Sequence, residues 1–183
     1  MKNLQRVALV LFVIPSMAHA IFKFDLEPIV GYERVQKFLP TAHTKDRLVL
    51  GGRVVLGTPL ISAEAEYTRA NDTESYPATS TDIAEQQDKA RVGLRSTYNF
   101  ALVSVFARAG AQARLTKRTV TVSGTPSTQT DPITYNPYAG AGARVHIRNN
   151  IALSADITVV FNGFPNMNMN DYMTTAGLVV SFP

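Results

Sequence analysis

Residues 101–115 read ALVSVFARAGAQARL, and every second position from Ala101 to Leu115 is Ala, Val or Leu. Between them stand Ser104, Phe106, Arg108, Gly110, Gln112 and Arg114. A period of two sustained this long is the pattern of a β-strand with one apolar and one polar face, and it cannot be laid on a helix. Seven further blocks repeat it. Phe22, Phe24, Leu26, Pro28, Val30 and Tyr32 alternate with Lys23, Asp25, Glu27 and, further on, Glu33. Leu48, Leu50, Val54 and Leu56 oppose Gly51, Arg53 and Gly57; Ile61, Ala63, Ala65 and Tyr67 oppose Ser62, Glu64, Glu66 and Thr68; Ala90, Val92, Leu94 and Tyr98 oppose Arg91, Gly93, Arg95 and Thr97. The last three blocks set Ala139–Ile147 against Gly140, Gly142, Arg144, His146 and Arg148. Ile151–Phe161 face Ser154, Asp156 and Thr158, and Tyr172–Phe182 face Thr175, Gly177 and Ser181.

Eight such strands fit either a soluble barrel or sandwich, apolar faces inward, or a transmembrane barrel with the apolar band against lipid and a polar lumen. The faces decide. The apolar ones carry no charge and many small Ala and Val residues, which suit lipid contact better than a close-packed core. The polar ones are rich in Gly and Arg and nearly free of Lys apart from Lys23, unlike a mixed water-facing surface. Links between blocks alternate in length: 36–47, 69–88, 117–134 and 162–171 are long and polar, whereas Gly57-Thr58-Pro59, Asn99-Phe100 and Asn149-Asn150 are tight. The expectation is therefore an all-β fold, an eight-stranded antiparallel up-and-down transmembrane β-barrel with short periplasmic turns and four long outer loops.

Length and composition agree with one such domain. The chain has 183 residues, 45% hydrophobic and only 17% charged, below the usual quarter. Residues 1–20 read as a secretory signal peptide: Lys2 and Arg6 precede the apolar run Val7–Ile14, and Ala18-His19-Ala20 offers small residues for cleavage. Residues 21–183 then form the barrel. Their 16 basic and 14 acidic residues nearly cancel, so no nucleic-acid partner is expected. Cysteine is absent, which removes disulfides, thiol catalysis and cysteine metal ligands.

Aromatic residues fall where membrane boundaries are expected: Phe22, Tyr98 and Phe182 at periplasmic ends, Tyr32, Tyr67, Phe161 and Tyr172 at outer ends, the two girdles of such barrels. With these features the chain resembles the small eight-stranded outer-membrane β-barrel proteins of Gram-negative bacteria, of the OmpA/OmpX/opacity type. The most specific element of the resemblance is the last strand, Thr175-Ala-Gly-Leu-Val-Val-Ser-Phe182. Thr175, Gly177, Val180 and Phe182 are similar to the family's assembly signal, which implies recognition by the barrel-assembly machinery during insertion. Pro183 departs from that signal, whose aromatic residue usually ends the chain.

A barrel of this size is just wide enough to be filled by side chains. The inward set contains Asp25, Glu27, Glu33, Glu64, Glu66 and Asp156 with Arg53, Arg91, Arg95, Arg108, Arg114 and Arg144. Counting from the turns places Arg53 opposite Glu64, Arg144 opposite Asp156 and Arg91 opposite Arg108. Six acids against six arginines favour a neutral ion-pair network over an anion channel. His146, Ser154 and Asp156 superficially complete a hydrolase triad, but lie inside a packed lumen that a lipid substrate does not reach. His43 has no serine–acid partners nearby, and two distant histidines make no metal site. No enzyme activity, cofactor or metal is expected.

The outer loops are where binding would occur. Loop 36–47 is basic (Lys37, Lys45, Arg47), loop 69–88 acidic (Asp72, Glu74, Asp82, Glu85, Asp88), loop 117–134 Thr/Ser-rich and loop 162–171 built on alternating Asn and Met. The expected protein sits in the bacterial outer membrane with a structural or surface-interaction role: envelope integrity, adhesion or ligand contact. Its partners would be outer-membrane lipid, lipopolysaccharide phosphates met by the basic positions, and a surface ligand or host cell. The alternatives are a narrow porin-like conduit for small solutes and, more remotely, a lipid-modifying outer-membrane enzyme.

Overall fold

The computed structural model describes residues 23–37, 41–58, 60–163 and 169–182. The expected signal peptide 1–20, Phe22, Pro59, Asn166-Met167-Asn168 and Pro183 lie outside them. Nine strands follow in chain order: β1 Lys23–Lys37, β2 His43–Gly57, β3 Ser62–Tyr76, β4 Thr81–Phe100, β5 Val103–Val122, β6 Thr125–Thr130, β7 Thr134–Arg148, β8 Ile151–Val160 and β9 Asp171–Phe182. All pairings are antiparallel. Eight strands close a ring, β1-β2-β3-β4-β5-β7-β8-β9, with β9 returning to β1 from Phe24↔Phe182 to Arg34↔Tyr172. The ninth, β6, lies outside the ring, folded back on the distal end of β5 (Val122↔Thr125 to Lys117↔Thr130).

The burial pattern is that of a soluble protein turned inside out. Arg53, Arg91, Arg95, Lys89, Glu27 and Glu33 are among its largest fully buried side chains, while Leu50, Val92, Leu94, Val105, Leu153, Ile157 and Leu178 are exposed. In water this surface would aggregate; against lipid tails it is the favourable one, since the closed ring leaves no backbone edge unpaired within it. The chain alternates as read from the sequence, with Asp25, Glu27, Ile29, Gly31, Glu33 and Val35 of β1 facing in and Leu26, Pro28, Val30 and Tyr32 facing out.

Three features differ from expectation. Much of the long outer links is ordered strand: β3 and β4 continue past the apolar band to a single 3-10 turn at 77–79, and β5 runs on to Val122. Here both faces are polar, so hydropathy shows no alternation although the backbone keeps it. The second feature is the position of the turns. The β4–β5 turn falls at Ala101-Leu102 instead of Asn99-Phe100, and the β2–β3 turn spans 58–61, with Thr58 N–H donating to the Ile61 carbonyl at 3.0 Å. These turns carry exposed apolar residues, Leu60, Ile61 and Leu102, so the strand pattern ran on through them. Third, a β-bulge between His146 and Arg148 shifts the β7–β8 register.

Candidate functional site in the lumen and outer hairpins

Inward parity brings charge to the axis from almost every wall of the barrel. In the central layer, Arg53 of β2 lies 2.7 Å from Glu66 (β3), 3.1 Å from Glu27 (β1), 3.0 Å from Asp156 (β8) and 3.8 Å from Glu64. Arg108 of β5 reaches Glu64 at 2.8 Å, Glu66 at 2.6 Å and Asp156 at 2.7 Å, and also donates to the Thr158 hydroxyl. Arg91 of β4 donates to Glu66 and, at 2.7 Å, to Gln112. The Tyr138 ring lies beside two guanidinium groups, Arg91 at 5.8 Å and Arg108 at 5.7 Å, the cation–π range. Each carboxylate is shared by two or more cations, so no charge in this layer stands alone.

Below it, toward the short turns, Arg144 donates to Asp25 at 2.7 Å and Arg95 lies over the Phe106 ring at 3.5 Å. Glycines make room for this crowd at two points. A Cβ at Gly177 would lie 2.9 Å from the Glu27 side chain, and one at Gly93 would lie 2.5 Å from the Tyr138 hydroxyl. Above the centre, Glu33 pairs with Arg47 at 2.9 Å and with Lys89, and Arg47 reaches Glu85 at 3.2 Å.

Beyond the apolar band the basic and acidic outer segments engage each other. Lys37 lies 2.6 Å from Asp72 and 3.7 Å from Glu74; Lys45 and His43 reach the same Glu74 at 3.6 and 3.2 Å. Both His43 ring nitrogens face acceptors, Nδ1 the Thr41 carbonyl at 2.8 Å and Nε2 the Glu74 carboxylate, so the doubly protonated ring satisfies both. Accordingly the Thr41 carbonyl and then Glu74 raise the His43 pKa. For Glu74, desolvation pushes the pKa up. Hydrogen bonds from Tyr76 and His43 and the charge of Lys37 outweigh it and bring the carboxyl to about 2.

The expected lumen residues Glu27, Glu33, Arg53, Glu64, Glu66, Arg91, Arg95, Arg108, Arg144 and Asp156 are all buried inside the ring; Arg114 stands higher, partly exposed, 3.0 Å from Asp171. The expected cross-strand neighbours need correction. Arg53 opposes Glu66, Arg95 opposes Arg108 and Arg91 opposes Gln112, each a displacement that follows from the longer or later turn. Arg144 opposes Ser154 instead of Asp156, and the bulge accounts for one residue of that shift. His146 opposes Ala152 and its Nε2 meets Ser104 at 2.7 Å, while Ser154 donates to Glu27; the suggested triad is not assembled. Arg47 and Glu85, expected in the basic and acidic outer loops, belong to the lumen instead, and so do Lys89 and Tyr138, which the sequence reading does not single out. Lys89 shares the parity of Arg91, which was the available signal, and it corrects the reading of a lumen nearly free of lysine.

On the outside, Tyr32, Tyr67, Tyr98 and Tyr172 are exposed on the lipid-facing side, and Phe161 follows β8 half-buried. Two outward arginines stand beside them: Arg34 grips Asp46 through two bonds of 2.8 and 3.0 Å, and Arg69 holds Asp88 at 2.6 Å, which also accepts from Tyr67 at 2.5 Å. In β9, Thr175 is buried, Gly177 packs on Glu27, and Phe182 faces out against Phe24 with ring centroids 5.9 Å apart.

A ring of eight antiparallel strands with a charged interior, an apolar outer belt and short turns at one end defines an outer-membrane β-barrel. The chain belongs to the outer membrane protein beta-barrel domain family, whose model matches residues 7–182, and it is accordingly a protein of the bacterial outer membrane. Among solved structures it is similar to Neisserial surface protein A (NspA), at 15% identity and TM-score 0.61, covering 88% of this chain and 97% of that one. It also resembles Ail, the attachment invasion locus protein of Yersinia pestis, solved with the heparin analogue sucrose octasulfate (13% identity, TM-score 0.55, covering 87% and 99%). A third is the N-terminal β-barrel domain of Pseudomonas aeruginosa OprF (14%, TM-score 0.54, covering 87% and 97%). No curated protein matches the sequence.

Proposed function

We propose that this barrel is a structural and surface-interacting component of the outer membrane, closed to solutes by its own ion pairs and meeting its partners through the outer hairpins. The supporting observation is the lattice of Arg53, Arg108, Glu64, Glu66 and Asp156, which joins β2, β3, β5 and β8 across the axis with side chains at most 1% exposed. Moving one of these groups aside to open a water path would strand the opposite charge in a low-dielectric interior. Planar-bilayer recording of the purified barrel tests this directly. The expected trace has no steady conductance, and a reproducible ohmic step from the wild-type protein overturns the plug.

The partner chemistry follows from which cations remain exposed. Arg47 is buried, and Lys37 and Lys45 face the acids of the neighbouring hairpin, so the basic loop is engaged within the molecule. Arg34 and Arg69, each paired with a carboxylate (Asp46 and Asp88), keep their side chains at least half exposed and lie outward at the level of Tyr32, Tyr172 and Tyr67. That level suits contact with lipopolysaccharide phosphates, while the polar hairpins above it are the surface for a ligand or another cell. The similarity to Ail, an attachment invasion locus protein solved with a heparin analogue, makes adhesion the first surface activity to seek. Insertion would use Thr175, Gly177, Val180 and Phe182 as the assembly signal, after removal of residues 1–20.

A further inference from the structure

At the end of the lumen that carries the short turns is a cavity of about 80 Å³, with room for several waters or one small polyatomic ion. Its lining includes Lys23, Arg95 and Arg144 as cations, Asp25 as the single acid, and Thr97 and Asn99 as neutral polar groups. Arg95 is the anomaly. Its side chain is 1% exposed, yet none of its three guanidinium nitrogens donates a hydrogen bond to the described residues. The nearest carboxylates stand at ion-pair distance only, Glu27 at 3.5 Å and Glu64 at 3.8 Å. Both are hydrogen-bonded through Oε1, Glu27 by Arg53 and Ser154 and Glu64 by Arg108 and Tyr138, while the Oε2 of each faces Arg95 Nη1 without a hydrogen bond. The Nε of Arg144 is likewise without an acceptor, its Nη1 being taken by Asp25.

The Arg95 charge is thus balanced at ion-pair distance, but a buried guanidinium none of whose N–H donors makes a hydrogen bond is costly, and the other lumen arginines each make at least one direct carboxylate bond. Phe106 covers one face of Arg95 at 3.5 Å, which stabilises the cation but accepts nothing from the in-plane N–H groups. Those groups border a cavity whose lining is positive by two charges, with Lys23 exposed at its rim. We propose that this cavity is an oxyanion site for a phosphate- or sulfate-sized ion drawn from the periplasm. Arg95 is its buried fork, Arg144 and Lys23 are the flanking cations, and Asp25 sets the orientation of Arg144. The site lies inside the wall, so a free ion reaches it without passing through lipid. It would complete the charge balance of the barrel at its lower end, as Glu64, Glu66 and Asp156 do at the centre.

The test is side-chain NMR of ¹⁵N-arginine-labelled barrel in phosphate-free alkyl maltoside micelles, titrated with inorganic phosphate against chloride at matched ionic strength. The expected result is a saturable movement of the Arg95 and Arg144 Nε–H signals with phosphate alone, with Arg118 in the outer hairpins, paired with Glu85, unmoved. R95Q should abolish it, and K23Q, which leaves the buried network intact, should weaken binding on the order of tenfold or less. Linear, chloride-like shifts mean an adventitious ion only and overturn the site, as does an unchanged curve in R95Q or K23Q. Adding phosphatidylglycerol to the same micelles reads the other source of phosphate: an Arg95 shift with that lipid but not with the inorganic ion overturns the soluble-ion assignment.

Discussion

Arg108 shows what one residue does in this barrel. It touches three carboxylates on two strands across the lumen from its own, so truncation leaves Glu64, Glu66 and Asp156 sharing fewer cations. Arg108→Ala should cost about 3–5 kcal/mol, the usual penalty for breaking one side of a buried pair, measured by urea unfolding in lipid vesicles. A loss under 1 kcal/mol would mean the lumen rearranges or hydrates freely. The inward identity of Arg108 was readable because its neighbours two apart alternate with Ala107, Ala109 and Ala111. Its opposite residue was not, since parity fixes a face but leaves the register to the turn. Leu60, Ile61 and Leu102 gave those turns an apolar look that concealed where they begin.

At the scale of the elements, β3, β4 and β5 are longer than a membrane requires. About 9–11 residues cross a bilayer, whereas β4 and β5 have 20 each. Their outer parts should be dispensable for insertion. Replacing 75–82 at the β3–β4 tip with a two-residue turn is expected to leave a barrel that still migrates compactly on a gel, and failure to fold would assign the tip a role in assembly. The hairpins also carry a pH dependence. A raised His43 pKa contributes stability fully below the ordinary 6.5 and loses it as pH rises through the folded value. A Glu74 pKa lowered to about 2 contributes above the ordinary 4.5 and loses that only as pH falls toward 2. Lys37, Lys45, Asp72 and Tyr76 complete the surroundings of the pair. Amides of 43–47 and 72–76, corrected for intrinsic rates, should therefore exchange more slowly at pH 5.5 than at pH 8; equal protection would remove the His43–Glu74 contact from the account. None of this was legible beforehand, because 36–47 and 69–88 read as separate loops of opposite charge. Their attraction appears only once the strands stand side by side.

For the whole molecule, the ring closure of β9 on β1 predicts heat-modifiable mobility: a compact band from the outer-membrane fraction that shifts on boiling. Mass spectrometry of that band is expected to give a chain starting at Ile21, and retention of residues 1–20 would refute the cleavage reading. The eight strands of the ring, and their inside and outside, were all written in the alternation. Length of the outer walls and the seat of β6 were not, since polar strands facing water leave no hydropathic trace. Those walls have a further consequence. From β3 through β4 and β5 to β6 the outer region is one continuous hydrogen-bonded sheet, tied at its summit by Ser123 N–H to the Ser80 carbonyl at 3.0 Å. A frame whose backbone is already committed loses little conformational entropy when something settles on it. Side chains along its faces can then be exchanged, altering what the cell presents while the shape presented stays the same.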